Sequence, residues 1–577
     1  MPKNLIEYLR IALYAMLLTV LLVLFQLWVK DHPQPITTTT TQPTTVTSST
    51  NNAVSNTPNY LPQNISNQIT SSDKAANTTT SDTQTAAPNK QLLHVKTNLL
   101  DVEIDPTGGN ILQIKLLAYP VELHSTQPYE LLNNSQATRY IAQSGLLSQT
   151  GPDNAKGQAT YTSDATNYQL ADGQNSLEVK LHWKNAAGVV FTKIYTFQRD
   201  RYEINVDYQI DNNSTTAWSG NLYLQLLRKN TPPVNKQGVM SFATYFGGAI
   251  SSPEKPFHKI SFKEMNNTNL DQTITGGWAA MVQHYFVSAW VPDKTMPLQY
   301  FTRVTQDGLY TLGMIGPKLT VTPGEKYSTS TRFYAGPAIA DRLEKVAPGL
   351  QLTIDYGWLW MISVVIFWLM QKIYNVIGNW GWSIVIVTMF IKLIFYHLSA
   401  KSYRSMSGLK RLQPQLATLK ERFGGDKQKF TQATLELYKK EKVNPMSGCL
   451  PIIIQIPVFI ALYWVLIESV QLRHAPFILW IHDLSTKDPY YVLPVLMGLS
   501  MFLQQRLNPP SADPTQAKVM MFMPIIFTAM FLNFPAGLML YWFVNNTLSF
   551  LQQWYIMASM NKAESLKKDL AKKKFNR

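Results

Sequence analysis

Hydrophobic and polar positions change rhythm three times along this chain of 577 residues. Residues 11–29 are an apolar stretch, interrupted by Thr19 and Gln26, behind Lys3 and Arg10. That is the length of a membrane span, and Trp28-Val29-Lys30-Asp31-His32 offers no small-residue cleavage site. The pattern predicts an uncleaved signal anchor over 1–30, with its N-terminus in the cytoplasm. Residues 31–90 are Thr, Ser, Asn, Gln and Pro with few large apolar side chains. Such a segment buries too little surface to offset the entropy of ordering, so a flexible tether is expected.

From 91 to 337 the period is two. Tyr202, Ile204, Val206, Tyr208 and Ile210 alternate with Glu203, Asn205, Asp207 and Gln209, as a half-buried strand requires. Phe191, Tyr195 and Phe197 carry the alternation upstream, and Gln198-Arg199-Asp200-Arg201 supplies a turn. Further strands are expected at 99–104, 177–183, 222–226 and 309–314. Many strands parted by Gly, Pro and Asn turns point to a large antiparallel sandwich. His182, His258, His284 and Asp293 are scattered single residues of the kind that could line a sugar site, and structural roles are the ordinary reading of such residues.

Beyond a short helical stretch at 338–346 the rhythm becomes long apolar runs. Those at 356–377 and 380–400 follow almost without a break, and others cover 445–470, 490–507 and 518–555. The last is too long for one span and is interrupted at Asn533-Phe534-Pro535-Ala536-Gly537, so it is expected to be two. Charge then orients them. The net charge of +15 is concentrated in two blocks: residues 401–442 hold eleven Lys/Arg against four acids, and 562–577 hold seven against two. Basic blocks mark the cytoplasmic side. With the N-terminus inside and the β domain outside, an odd number of crossings must separate that domain from the 401–442 block. One of the two adjacent runs must therefore lie flat. Residues 356–377 carry Trp358, Trp360 and Trp368, with Gln371, Lys372 and Asn375 near the end, and are expected to lie along the outer surface within a 338–378 linker. Residues 380–400 then span. The 401–444 region reads as two charged helices broken at Gly424-Gly425, a cytoplasmic hairpin. Six spans result: the anchor plus five in a core of 379–560, followed by a basic tail at 561–577. The single cysteine, Cys449, excludes an intrachain disulfide.

One residue in these runs stands out chemically. Lys392 lies within 380–400, about 12 Å of helix rise from Ala400, a long way for one side chain to reach headgroups. A cation at mid-helix costs ~2.5–3.5 kcal/mol on insertion scales and usually faces a bundle interior or a wet cavity. Thr388 is one turn before it. Gln455, Asn545 and Asn546 fall at similar depth in other spans, so the set is expected to enclose a polar cleft in the inner half of the bilayer. There is no acid/base pair, no nucleophile with a positioned base, no metal-spaced cluster and no nucleotide motif, so neither an enzyme nor a cofactor is expected. A hydrated cationic pocket suits a short polar or acidic peptide whose apolar neighbour slides against lipid.

The core resembles the YidC/Oxa/Alb family of membrane insertases. The resemblance rests on Asn379-Trp380-Gly381-Trp382-Ser383, Gln413-Pro414 and Glu441-Lys442-Val443-Asn444-Pro445, then on Gly448-Cys449, Pro451, Gln455 and Pro457. It continues through Ala475-Pro476-Phe477, Trp480-Ile481-His482-Asp483-Leu484, Asp488-Pro489-Tyr490-Tyr491, Phe522-Met523-Pro524 and Phe534-Pro535-Ala536-Gly537-Leu538. It implies a membrane α-helical bundle of six transmembrane helices, five of them forming the core, with a periplasmic all-β supersandwich domain, in a bacterial inner membrane. It also implies insertion and chaperoning of nascent membrane proteins, alone or beside the Sec translocon. The 401–444 hairpin and the basic tail resemble regions that meet the ribosome and targeting factors, and membrane lipids surround the core. Lys392 stands where the family usually has arginine; lysine keeps the charge and loses the planar fork. Tyr541 matches a groove aromatic, and Trp542 stands where a second tyrosine is common. The segment-receiving surface is expected at Pro451, Ile456, Phe459 and Met530. Two rival readings are a small-solute transporter, which predicts an internal repeat, and a sugar-binding envelope protein acting through its β domain.

Overall fold

The computed structural model describes residues 91–231, 244–423, 425–441, 443, 450–508 and 514–575. The expected anchor at 11–29 and tether at 31–90 lie outside these residues, as does the start of the run at 445.

Two antiparallel-dominated sheets, one of twelve and one of nine described strands, pack face to face to form a β-sandwich. Its logic is visible in Glu203–Asn212, paired on one side with Val189–Gln198 and on the other with Lys326–Pro337. Ile204, Val206, Tyr208 and Ile210 point inward and are at most 1% exposed, while the acids and amides between them face out. The expected turn holds, with Asp200 in the left-handed region and its carboxylate accepting from Asn98 Nδ2 at 2.6 Å. One position breaks the alternation. Lys193 shares the inward face with Phe191, Tyr195 and Phe197 and is fully buried. Its ammonium donates to the carbonyls of Ser144 (2.7 Å), Gly109 (2.9 Å) and Gly108 (3.2 Å), which replace its lost hydration.

A short helix, α1 (Phe262–Asn267), is capped by Ser261, whose Oγ accepts from the Glu264 N–H. After the last strand, α2 (Ala340–Val346) leads to α3 (Trp360–Ile377), which ends at Gly378 with φ 73°. That left-handed cap lets the chain reverse at once into α4 (Trp380–Ile394). Asn379 caps α4: its Oδ1 accepts from the Trp382 N–H and its Nδ2 donates to the Phe477 carbonyl. The remaining helices are α5 (Tyr396–Arg411), α6 (Gln413–Phe423), α7 (Lys427–Lys440), α8 (Leu450–Glu468), α9 (Val492–Leu507), α10 (Pro514–Phe531) and α11 (Ala536–Phe575).

Two expectations need correction. Residues 380–400 are not one continuous helix: α4 and α5 meet at Phe395 at an angle of 67°. The 401–444 region is not two helices, because α5 runs on to Arg411 before a short α6 and α7 pair up. Among the described residues, the single helix that is by itself long and apolar enough to cross a membrane covers Gly357–Ile377, the run assigned to the surface. Its outward side is apolar, with Trp358, Trp360, Met361, Val365, Trp368 and Val376 exposed, while Ser363, Ile366, Phe367 and Met370 pack on α4 and α8. The break expected at 533–537 does part α10, which ends at Phe531, from α11, which already begins at Ala536.

The sandwich sits directly on the bundle, and one continuous set of buried apolar side chains runs from Leu93 to Tyr541. Arg473, in the loop between α8 and α9, donates to the carbonyls of Pro120 (2.6 Å) and Val121 (2.9 Å). Lys259 pairs with Asp355, and the His284 ring bonds the Ile467 carbonyl at 2.8 Å. The loop holds its own shape through two carboxylates. Asp483 accepts from the His474 and Ser485 N–H groups, and Asp488 accepts from Tyr490 N, Leu493 N and Trp480 Nε1. Three of the four scattered candidates for a sugar site have separate partners: His182 bonds Thr192, Asp293 bonds Thr295, and His284 reaches the bundle.

Two outcomes follow from this packing. A Cβ on Gly381 would lie 2.0 Å from Cδ2 of Phe477, at the ring's attachment rather than its flexible end. Gly381→Ala should therefore destabilise the folded protein in detergent by about 1–3 kcal/mol, with partial recovery on adding Phe477→Ala. Burial pushes the His284 imidazole down to about 4, so between that value and the ordinary ~6.5 the folded protein holds fewer protons than the unfolded chain. Its contribution is complete above ~6.5 and is lost as pH falls through the folded value. Denaturant unfolding at pH 7.5 and pH 5 should show wild type losing about 1–2 kcal/mol more than His284→Gln over that interval.

Candidate functional site

At the bend near Phe395 a narrow cleft lies between α4, α5, α8 and α11, with a cavity volume of about 30 Å³, room for a couple of waters, and one side open. Its polar lining comes from Thr388 and Lys392 on α4, Ser399 on α5, Gln455 on α8, and Tyr541 and Asn545 on α11. Ile391, Phe395, Leu398, Ile454 and Val458 complete it with apolar surface.

Each polar group is placed by its helix. Thr388 is 1% exposed and its hydroxyl donates back to the Ile384 carbonyl at 2.6 Å, which leaves only lone pairs for the cleft. Lys392 is half-buried. Its ammonium donates to Ser549 Oγ at 2.6 Å and lies 3.5 Å from Gln455 Oε1. Among the described residues no carboxylate comes within ion-pair distance of it. The Tyr541 hydroxyl faces the same Gln455, and its ring stacks against Phe459 at 6.3 Å. Asn545 is 4% exposed and its carbonyl accepts from Ser549 Oγ at 2.7 Å.

The structure thus brings together Thr388, Lys392, Gln455, Tyr541 and Asn545, and sends two expected residues elsewhere. Asn546 turns away from the cleft to donate to Ser500 on α9 at 3.3 Å. Adjacent residues on a helix point about 100° apart, so both asparagines cannot face one cleft. Trp542 does not line the cleft; it packs with Phe459 (4.7 Å), Phe531 (4.7 Å) and Phe527 (6.3 Å) between α8, α10 and α11. Ile456 is 45% exposed on the outer face of α8, whereas Phe459 and Met530 are partly buried against the core. The side chain of Pro451 lies outside the described set.

Ser549 escaped the sequence reading. The clue was the spacing of Tyr541, Asn545, Ser549 and Gln553, a polar stripe at intervals of four on an otherwise apolar helix, all at most 4% exposed. Tyr403 on α5 was missed as well. Its hydroxyl faces Ser549, and its ring joins Ala400, Met406 and Ile556 in a small apolar cluster apart from the main core.

The arrangement holds a cation among neutral oxygens inside an apolar bundle, with one side open. It can attract and hydrate a polar or acidic group.

Comparison with known proteins places this geometry in context. Residues 92–369 match the YidC periplasmic domain and residues 372–564 match the 60Kd inner membrane protein family. A membrane protein insertase YidC from Pseudomonas fluorescens (strain SBW25) is 51% identical over 477 residues, covering 82% of this chain and 85% of the relative. Another, from Pseudomonas fluorescens (strain Pf0-1), is 48% identical over 524 residues, covering 89% and 93%. At that identity, over most of both chains, the sandwich and the bundle belong together in one kind of protein: the chain is a member of the YidC family of membrane protein insertases of the bacterial inner membrane.

Proposed function

We propose that the chain inserts nascent membrane proteins through the cleft beside Lys392. The observation that carries this reading is the ammonium held by Ser549 and Gln455 with no carboxylate among the described residues to cancel it. A polar or acidic stretch of the incoming chain enters the cleft and exchanges water for these groups. Its apolar neighbour meets the exposed face around Ile456, with Phe459, Trp542 and Met530 behind it and Pro451 further along α8. Partial hydration in the inner leaflet lowers the cost of moving polar backbone, since each unsatisfied group in hydrocarbon costs several kcal/mol. The driving force is partition of the substrate's apolar residues into lipid, assisted by the membrane potential at ~2.3 kcal/mol per charge per 100 mV. No bond is made or broken, so the activity is that of an insertase and chaperone rather than an enzyme.

In this reading the anchor, α4, α8, α9, α10 and the first half of α11 make six crossings, and α3 lies along the outer surface. Charge parity supports that choice: both termini and the basic α5–α7 region are then cytoplasmic, and the β-sandwich is periplasmic. α4 alone has 15 residues, ~22 Å of rise, so its crossing is short and is completed by the start of α5. The basic 401–444 and 561–577 segments are the surfaces proposed to meet ribosomes and targeting factors, with Sec translocon components and lipid alongside the bundle. No specific observation favours solute transport or sugar binding.

Two measurements test the reading. With Cys449 replaced by Ser, Asn545→Cys should react with a water-soluble maleimide about tenfold faster than Asn546→Cys, because only the first faces the cleft. Equal rates would mean the cleft is dry. Photo-crosslinking probes at Thr388, Ile456 and Tyr541 should capture the first apolar segment of a ribosome-stalled membrane protein. Lys392→Ala should weaken capture of an acidic-tailed substrate about threefold or more. Crosslinks that ignore the substitution would leave insertion in place and remove the charge from it, and no crosslinks at any of the three would sink the cleft as the route.

A further inference from the structure

Ser549 has one hydroxyl proton, and it goes to the Asn545 carbonyl at 2.7 Å within the same helix. Both lone pairs are therefore turned outward, and one accepts the Lys392 ammonium at 2.6 Å. The alternative hold, Gln455 Oε1 at 3.5 Å, is at the limit of a hydrogen bond. Ser549 is 2% exposed, so this oxygen is fixed in the wall and is not in free exchange with bulk water.

We propose that Ser549 is the positioning residue of the cleft, making it selective for acidic over neutral segments by holding Lys392 with a neutral oxygen. The proposal rests on the reading of the cleft given above. Lysine is a point charge on a flexible four-carbon stem, and without a tether it goes where hydration is best. An exit lies close by: Leu393, Ile394, Tyr396 and His397, around the end of α4, are all exposed. Released from Ser549, the ammonium swings toward that side and the cleft loses its charge. A carboxylate at the same place would grip the ammonium harder and cancel it. A hydroxyl grips without cancelling, which leaves the full positive charge for an acidic group of the incoming chain. Tyr403 on α5 faces the same oxygen, so the tether stands at the corner where α4, α5 and α11 meet.

The test uses the full-length protein in proteoliposomes and two forms of one single-span substrate. One form has an acidic translocated tail, and the other has glutamine at the acidic positions. The quantity read is the ratio of acidic-tail to neutral-tail insertion, for wild type, Lys392→Ala, Ser549→Ala, Ser549→Thr and Ser549→Asp. Ser549→Ala is expected to lower the ratio about three- to tenfold, the net worth of one typical hydrogen bond. Ser549→Thr, which keeps the hydroxyl, should restore it, and Ser549→Asp should bring it down to the value for Lys392→Ala. A Ser549→Ala ratio equal to wild type, with Lys392→Ala still collapsed, would overturn the role of Ser549 alone. So would an equal loss on both substrates that threonine does not rescue, since that is the mark of a packing defect. An unchanged ratio in Lys392→Ala would overturn the charge reading of the cleft first, and the Ser549 proposal with it.

Discussion

Removing an ammonium from water into an apolar bundle costs several kcal/mol unless oxygens and residual water take over its hydration. Around Lys392 that demand shapes four helices. Ser549 and Gln455 must approach from α11 and α8, Thr388 must spend its own proton backward on Ile384, and α5 must turn aside at Phe395 for the space to stay open. The same rule operates in the sandwich with the opposite outcome. Lys193 is also a buried ammonium, but three backbone carbonyls surround it and the space is closed. One lysine is locked into a wall, and the other is held at the edge of a cleft with donor capacity to spare.

The helices can meet around that charge because small residues let them. Gly378 permits an immediate reversal between α3 and α4, and Gly381 brings α4 against Phe477 of the α8–α9 loop. Gly498 does the same for α9 and α10, where a Cβ would fall 2.0 Å from Thr528 Oγ1. The α8–α9 loop in turn carries Arg473 onto the sandwich, so the β domain and the far end of the bundle share one packed seam.

Much of this was legible from the chain because membrane sequences make polar residues conspicuous. Against runs of Ile, Leu, Val and Phe, the placement of Lys392, Gln455 and Asn545 stands out, and strand alternation made Glu203–Asn212 plain. What stayed hidden had specific causes. The bend at Phe395 involves no Pro or Gly, the usual markers of a broken helix. Serine is common enough in helices that Ser549 did not attract notice beside Asn545. Depth along the span groups Asn546 with its neighbour but ignores the ~100° that separates adjacent side chains. Lys193 escaped because alternation ranks residues by polarity, and a lysine on an apolar face is buried only when carbonyls happen to converge on it.

α11 is one helix from Ala536 to Phe575, ~60 Å of rise by its 40 residues. Its first half carries Tyr541, Asn545 and Ser549 into the cleft, and its second half carries the lysine-rich end. A helix of this kind has no hinge in which to dissipate torque, so it behaves as a shaft. Whatever grips the basic end and rolls it also rolls the wall that tethers Lys392, which makes the tail a handle on the cleft.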